Sequence, residues 1–163
     1  MRDSVSIPQS AIPTTAEPQP PDTASLLAAA TAAAAHAYAP YSGFRVGAAI
    51  LLASGAVVTA ANVENASYGL TLCAERAALV RAVAEHGPQL QITAVAIANL
   101  NHAASPPCGA CRQVLAEFCS PQTRIHFPLL SASNGTVEPH ACSFGELFPF
   151  TFDLPPSRTP IAG

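Results

Sequence analysis

The chain has 163 residues, half of them hydrophobic, with a net charge of −3 and only 10% charged residues. That is enough for one domain with a sizeable buried core. Seven Lys and Arg in total cannot build the clustered basic surface that tracks a phosphate backbone, which argues against nucleic acid as a partner and for a free small molecule; no run is long enough to span a membrane.

Residues 1–22 are rich in Pro, Ser, Thr and Gln without apolar periodicity, so a disordered tail is expected there, followed by one domain over 23–153 and a frayed tail over 154–163. The apolar run from Leu26 to Ala35 follows a long polar, acidic stretch instead of a short basic one. It therefore reads as a first helix, starting at Asp22-Thr23 and ending before Pro40, and not as a signal peptide. His36 near its end reads as a surface or capping residue. Two β-compatible runs, 46–52 and 56–60, flank Ala53-Ser54-Gly55 and predict a hairpin. Phe44, just before it, is by default a core residue.

In Asn62-Val63-Glu64 the amide and the carboxylate project to the same side of an extended segment, a pairing that suits a sugar hydroxyl and is equally compatible with a solvated loop start. A loop over 65–72 leads to a helix over 73–85, with Ala77, Ala78, Leu79 and Val83 facing inward and Gly87-Pro88 stopping it. The apolar run 92–98 is a strand buried on both faces. A polar loop over 99–106 contains His102, read as solvated. The next helix opens at Pro107-Cys108, continues through Phe118 and stops near Ser120-Pro121. A strand over 125–130 then closes a right-handed parallel crossover, with Pro128 forcing a bulge or an edge. Asn134-Gly135 predicts a hairpin to a short strand over 136–138, and Ser143-Phe144-Gly145-Glu146 a capping box. This order gives an α/β three-layer fold, a five-stranded mixed sheet with helices on both faces.

Five cysteines, an odd number, suit a reducing compartment and metal binding better than a disulfide framework. Cys108 and Cys111 share a helical face, and Cys73 heads another helix. Three thiols leave one tetrahedral zinc position for water, the signature of a catalytic rather than a structural site; Cys119 or Cys142 as a fourth ligand would make it structural. Helix N-termini and the metal both favour thiolates. Three thiolates outweigh Zn²⁺ by one charge, and Arg76, one turn past Cys73, can offset it. Glu75 can then sit over the open position without being a ligand and move a proton between water and substrate.

These residues resemble the zinc deaminases, which combine such a thiol set with a non-ligand Glu and a Pro-Cys-x-x-Cys segment. Over 37–152 the chain is similar to the small homotetrameric cytidine deaminases, through Tyr38-Ala39-Pro40-Tyr41-Ser42, Phe44-Arg45-Val46-Gly47-Ala48-Ala49, Asn62-Val63-Glu64-Asn65-Ala66-Ser67-Tyr68, Cys73-Ala74-Glu75-Arg76 and Pro107-Cys108-Gly109-Ala110-Cys111-Arg112-Gln113. The resemblance implies a Zn²⁺ cofactor on Cys73, Cys108 and Cys111, Glu75 as proton shuttle, and hydrolytic deamination of cytidine and deoxycytidine in the cytoplasm. It implies that Asn62 and Glu64 hold the ribose 3′-hydroxyl, which disfavours phosphorylated substrates, and that Phe44 and Ala74 contact the base. It further implies a homotetramer with shared sites, in which Ala66 and Tyr68 reach another subunit and Phe152 stacks on a neighbour's base. Tyr68 as an intersubunit packing residue and Phe150 as the stacking aromatic stay open. Two other functions also stay open: a deaminase of a modified cytosine nucleoside, like the blasticidin S enzymes, and a noncatalytic zinc module.

Overall fold

The computed structural model describes residues 22–152; the tails expected over 1–22 and 154–163 lie, apart from Asp22, outside the described residues. Helix α1 (Thr23–Ala34) starts where the Asp22 carboxylate accepts a hydrogen bond from Ser25 N at 2.8 Å, a side-chain cap for an otherwise orphan donor. Strands β1 (Val46–Leu52) and β2 (Val57–Ala61) form the expected hairpin, and a single 3-10 turn (Tyr68–Leu70) precedes α2 (Ala74–His86). The chain continues through β3 (Ile92–Asn99), α3 (Gly109–Ala116), β4 (Cys119–Leu130), β5 (Val137–Ser143) and α4 (Phe144–Leu147). The sheet order is β2-β1-β3-β4-β5, with β3 and β4 parallel and the other pairs antiparallel. This is the mixed five-stranded sheet the element order predicts.

Alternation along the central strands divides the core in two. Ala48 and Ile50 of β1 and Val95 and Ile97 of β3 pack with Ala78, Leu79 and Ala82 of α2, Leu115 of α3 and Phe144 of α4. Their sequence neighbours Ala49, Leu51, Ala96 and Ala98 face the other way, against Leu26 and Ala30 of α1. Strands covered on both faces read as continuous apolar runs, which is why β1 and β3 are so legible.

The alanines of α1 let its backbone lie directly on β1. A Cβ at Gly47 would stand 2.0 Å from Ala30 O and 2.5 Å from Ala34 N. Gly47→Ala must therefore push the helix off the sheet, and it is expected to cost about 2–4 kcal/mol. Thermal unfolding of the variant checks this; an unchanged midpoint would contradict the contact.

Three boundaries differ from expectation. Helix α3 ends at Ala116 and not near Ser120, because Cys119 already pairs with Ile92. From there β4 slips before Arg124 meets Ala94, and Thr123 bridges the irregularity, its hydroxyl accepting from Ser120 N and donating to Ile92 O, both at 2.9 Å. Such local side-chain bonds compete with the regular ladder. Strand β5 runs to Ser143, well past the expected 138; it is largely exposed along its middle, so no apolar period marks it.

Pro128 faces Pro139 across the β4–β5 pair. Two residues without N–H groups can only form a non-hydrogen-bonded pair, whose carbonyls point outward. The β3 ladder stops at His126, so Pro128 lies at a local edge, where Ser105 N donates to its carbonyl at 2.9 Å. The bulge lies earlier, between Cys119 and Arg124. At the end of β5 the capping box forms as predicted, Glu146 N bonding the Ser143 hydroxyl while the Glu146 carboxylate accepts from Ser143 N at 2.7 Å.

Candidate active site and metal centre

Cys73 and Cys108 are the N-cap residues of α2 and α3, and neither thiol is spent on capping. Cys111 lies in the first turn of α3 and is fully buried. The two helix starts thus bring three sulfurs together. All three lie within 4.8 Å of one another, with Cys108 to Cys111 at 3.4 Å and Cys73 to Cys108 at 3.9 Å. Tetrahedral zinc with Zn–S bonds of about 2.3 Å requires sulfurs about 3.8 Å apart, so this donor set fits the ion in number, softness and spacing. Among the described residues the cluster consists of these three cysteines. Cys119 and Cys142 are outside it, and Cys119 is a partly buried thiol pushed up to about 12 by desolvation.

The Cys73 thiol is drawn down to about 5, first by the hydrogen bond from Cys111 and further by Arg76, while Cys111 is pushed up by that same contact. Arg76 projects back from the first turn of α2. One Nη donates to Thr71 O at 2.6 Å and stands 4.0 Å from Cys73 Sγ, the charge-offsetting position expected of it. Among the described residues its buried Nε has no partner.

Glu75 is only 5% exposed, and burial raises its carboxyl above the ordinary carboxylate range. It lines a cavity of about 330 Å³ together with Phe44, Asn62, Cys73, Ala74 and Cys108. Larger cavities of about 550 and 440 Å³ lie at the start of β3 and over the β4–β5 hairpin, and neither is lined by Cys73, Cys108 or Cys111. The structure therefore joins Phe44, Asn62, Ala74 and Glu75 to two of the three thiols in one small space.

Asn62 is buried, with Oδ1 accepting from Val46 N and Nδ2 donating to Phe44 O, both at 2.9 Å. Glu64 opens instead onto an adjoining cavity with Tyr41, Ser42 and Tyr68, and Thr71 borders both spaces. The Glu64 carboxylate accepts from the Ser42 hydroxyl, from Tyr41 N at 2.9 Å and from Ser42 N at 3.2 Å, and these bonds hold it below the usual carboxylate range. The neck of the 65–72 loop is closed by a reciprocal Val63–Leu72 pair, which sets Cys73 against the Asn62–Glu64 segment.

Besides Glu64, three further expected substrate contacts do not line the Glu75 cavity within one chain. Ala66 is exposed, Tyr68 is 76% exposed with its ring edge-on to Tyr41, and Phe152 is 69% exposed. Phe150, its rival, is more exposed still. Gln113, unassigned from sequence, donates to Phe152 O at 2.8 Å, and Arg112 ties α3 to α4 through Leu147 O. Sequence reasoning missed Thr71, Ile97 and the 104–106 segment of the cavity wall. The signal for the last was the proline pair before Cys108, which holds the chain extended at the mouth of α3.

The description "Cytidine and deoxycytidylate deaminase zinc-binding region" matches residues 21–126. The chain is 51% identical over 90 residues to a cytidine deaminase of Halalkalibacterium halodurans, covering 55% of this chain and 67% of that one. It is 45% identical over 118 residues to a cytidine deaminase of Mycobacterium tuberculosis, covering 72% and 87%. The crystal structure of cytidine deaminase from Burkholderia pseudomallei superposes with a TM-score of 0.68 at 42% identity, covering 80% of this chain and 99% of that chain. With a zinc-fitting thiol cluster beside a buried glutamate on this fold, the chain belongs to the cytidine and deoxycytidylate deaminase family.

Proposed function

We propose that this protein hydrolyses cytidine and deoxycytidine to the corresponding uridines, releasing ammonia. The observation that carries the reading is the buried Glu75 carboxylate facing the cavity that Cys73 and Cys108 border. When bound by Cys73, Cys108 and Cys111, zinc supplies a Lewis acid that makes water a competent nucleophile near neutral pH. Glu75 takes the proton of the attacking water and delivers it to N3 of the base; the new C–O bond forms at C4. Glu75 then takes the remaining proton from the new C4 hydroxyl and passes it to the amine, so that C4 becomes the carbonyl of the uridine as the C4–N bond breaks and ammonia leaves. Its raised pKa suits both directions of transfer, since a proton carrier works best with a pKa near the operating pH.

Phe44 walls the base and Asn62 faces its sugar, with Glu64 accepting from the ribose 3′-hydroxyl at the junction of the two cavities. A carboxylate there repels a phosphate, so nucleosides are preferred to nucleotides. The test compares cytidine, deoxycytidine, cytidine monophosphate and blasticidin S as substrates of wild type and Glu64→Gln. Wild type is expected to favour the free nucleosides by at least about tenfold, and Glu64→Gln to narrow the gap. Preference for blasticidin S would establish the modified-nucleoside reading instead.

The exposed Tyr68, Leu70 and Phe152 support a homotetramer in which these side chains complete neighbouring sites, which light scattering of the purified protein checks. The thiol metal site and five free cysteines fit a reducing cytoplasm; no helix of the described residues is long and apolar enough to cross a membrane.

A further inference from the structure

Phe44 lines the cavity beside Glu75, yet it precedes the sheet. The last backbone pairs of β1 are Val46 with Asn99 on one side and Gly47 with Ala61 on the other. Beyond them, among the described residues, only Leu100 N, donating to Arg45 O at 3.1 Å, and Asn62 N, donating to Val46 O at 3.0 Å, continue the ladder. A chain leaving a sheet in this way has unpaired peptide groups on both edges and nothing to fix its course.

Two side-chain amides replace the missing strands. On the β3 side, Asn101 Nδ2 donates to Gly43 O at 3.0 Å and Asn101 Oδ1 accepts from Arg45 N at 2.8 Å. On the β2 side, Asn62 makes the same pair of bonds one residue later, to Phe44 O and from Val46 N. Successive peptides of an extended chain point to opposite edges, so the two carboxamides alternate as true neighbouring strands would. Phe44 N is met separately by the Ser42 hydroxyl at 2.9 Å.

Asn101 is itself held. Its N donates to Asn99 Oδ1 at 3.0 Å, and the Asn99 amide donates to Ala103 O at 2.6 Å and to the Ser105 hydroxyl at 2.9 Å. The turn between them is tight enough to place His102 at φ 52°, a left-handed conformation that a non-glycine side chain adopts at a cost. Ser105, at the far end of this network, lines the same cavity as Phe44.

We propose that Asn101 is a positioning residue for the reaction: its carboxamide splints the Gly43–Arg45 backbone and thereby fixes Phe44 against the base. The role requires one acceptor and one donor at fixed separation, which neither a carboxylate nor an alkyl side chain supplies. This inference rests on the reading of Phe44 as the base contact.

The test uses the full zinc-loaded chain with Asn101→Asp, which is nearly isosteric but loses the donor, and Asn101→Ala, which loses both bonds without adding charge. Each is expected to raise KM for cytidine about fivefold to tenfold, with kcat within about twofold of wild type, as for loss of binding shared by ground and transition states. In a Phe44→Ala background the same changes should alter KM by less than about twofold, because the residue they act through is gone. Independently of substrate, the Arg45 amide should exchange with solvent at least about tenfold faster in Asn101→Ala, while Val46, held by Asn62, stays protected. An unchanged KM, an equal penalty with and without Phe44, or a still-protected Arg45 amide would overturn the proposal. A wild type that turns over no cytosine nucleoside would overturn the functional reading, and Arg45 exchange would then decide the splint by itself.

Discussion

Glu75→Gln is expected to lower turnover of cytidine by about 10²–10⁴-fold, the range contributed by a positioned acid–base group, while leaving zinc content unchanged. The amide is isosteric with the carboxylate, and Glu75 lies at the second position of α2, outside the three-thiol cluster. Removing its proton-carrying capacity therefore disturbs neither the helix nor the ligand set. Because Glu75 is buried and held above the usual carboxylate range by desolvation, no solvent carboxylate can stand in for it. Metal analysis and steady-state kinetics on the same preparation check the prediction. Turnover within tenfold of wild type would remove Glu75 from the proton path, and loss of zinc would make it a metal ligand.

The second large effect is expected from the thiols. Replacing Cys111 by Ser exchanges a soft donor for a hard one at the fully buried corner of the cluster. Zinc affinity should fall by more than about 10²-fold, the upper range seen when only the support of a ligand is disturbed, and activity should fall with occupancy. Zinc held by these three cysteines would join the starts of α2 and α3, so the metal-free protein should melt lower than the loaded one. Competition with a chromophoric chelator, together with melting curves with and without zinc, checks both. A Cys111→Ser protein that retains stoichiometric zinc and full activity would show that Cys111 is not a ligand.

The sequence is most legible where one physical constraint acts alone. Residues 46–52 form a strand to the residue because both faces are buried and a Ser-Gly turn ends the run. Cys73, Cys108 and Cys111 could be placed because helix starts and ligand spacing restrict thiols strongly. Only 136–138 of β5 is legible because an exposed edge carries no apolar period, and the α3 pattern runs on through Phe118 although Cys119 already pairs with Ile92 and the Thr123 hydroxyl bridges the irregularity that follows. The site divides in the same way. Glu75 is legible from its distance to Cys73, yet Glu64 opening onto a separate cavity depends on the Tyr41–Ser42 backbone turning back to it. The Asn101 splint joins residues 56 to 58 positions apart, and nothing local in the sequence announces it. Tyr68 meets the Glu64 cavity within one chain, whereas Phe152 is exposed and lines neither that cavity nor the one at Glu75.

The central claim is tested most directly by following the ultraviolet absorbance of cytidine and deoxycytidine incubated with the purified zinc-loaded protein, with ammonia assayed in parallel. The predicted result is conversion of both nucleosides to their uridines with one ammonia released for each. A protein that holds one zinc per chain and leaves both nucleosides unchanged would contradict the account.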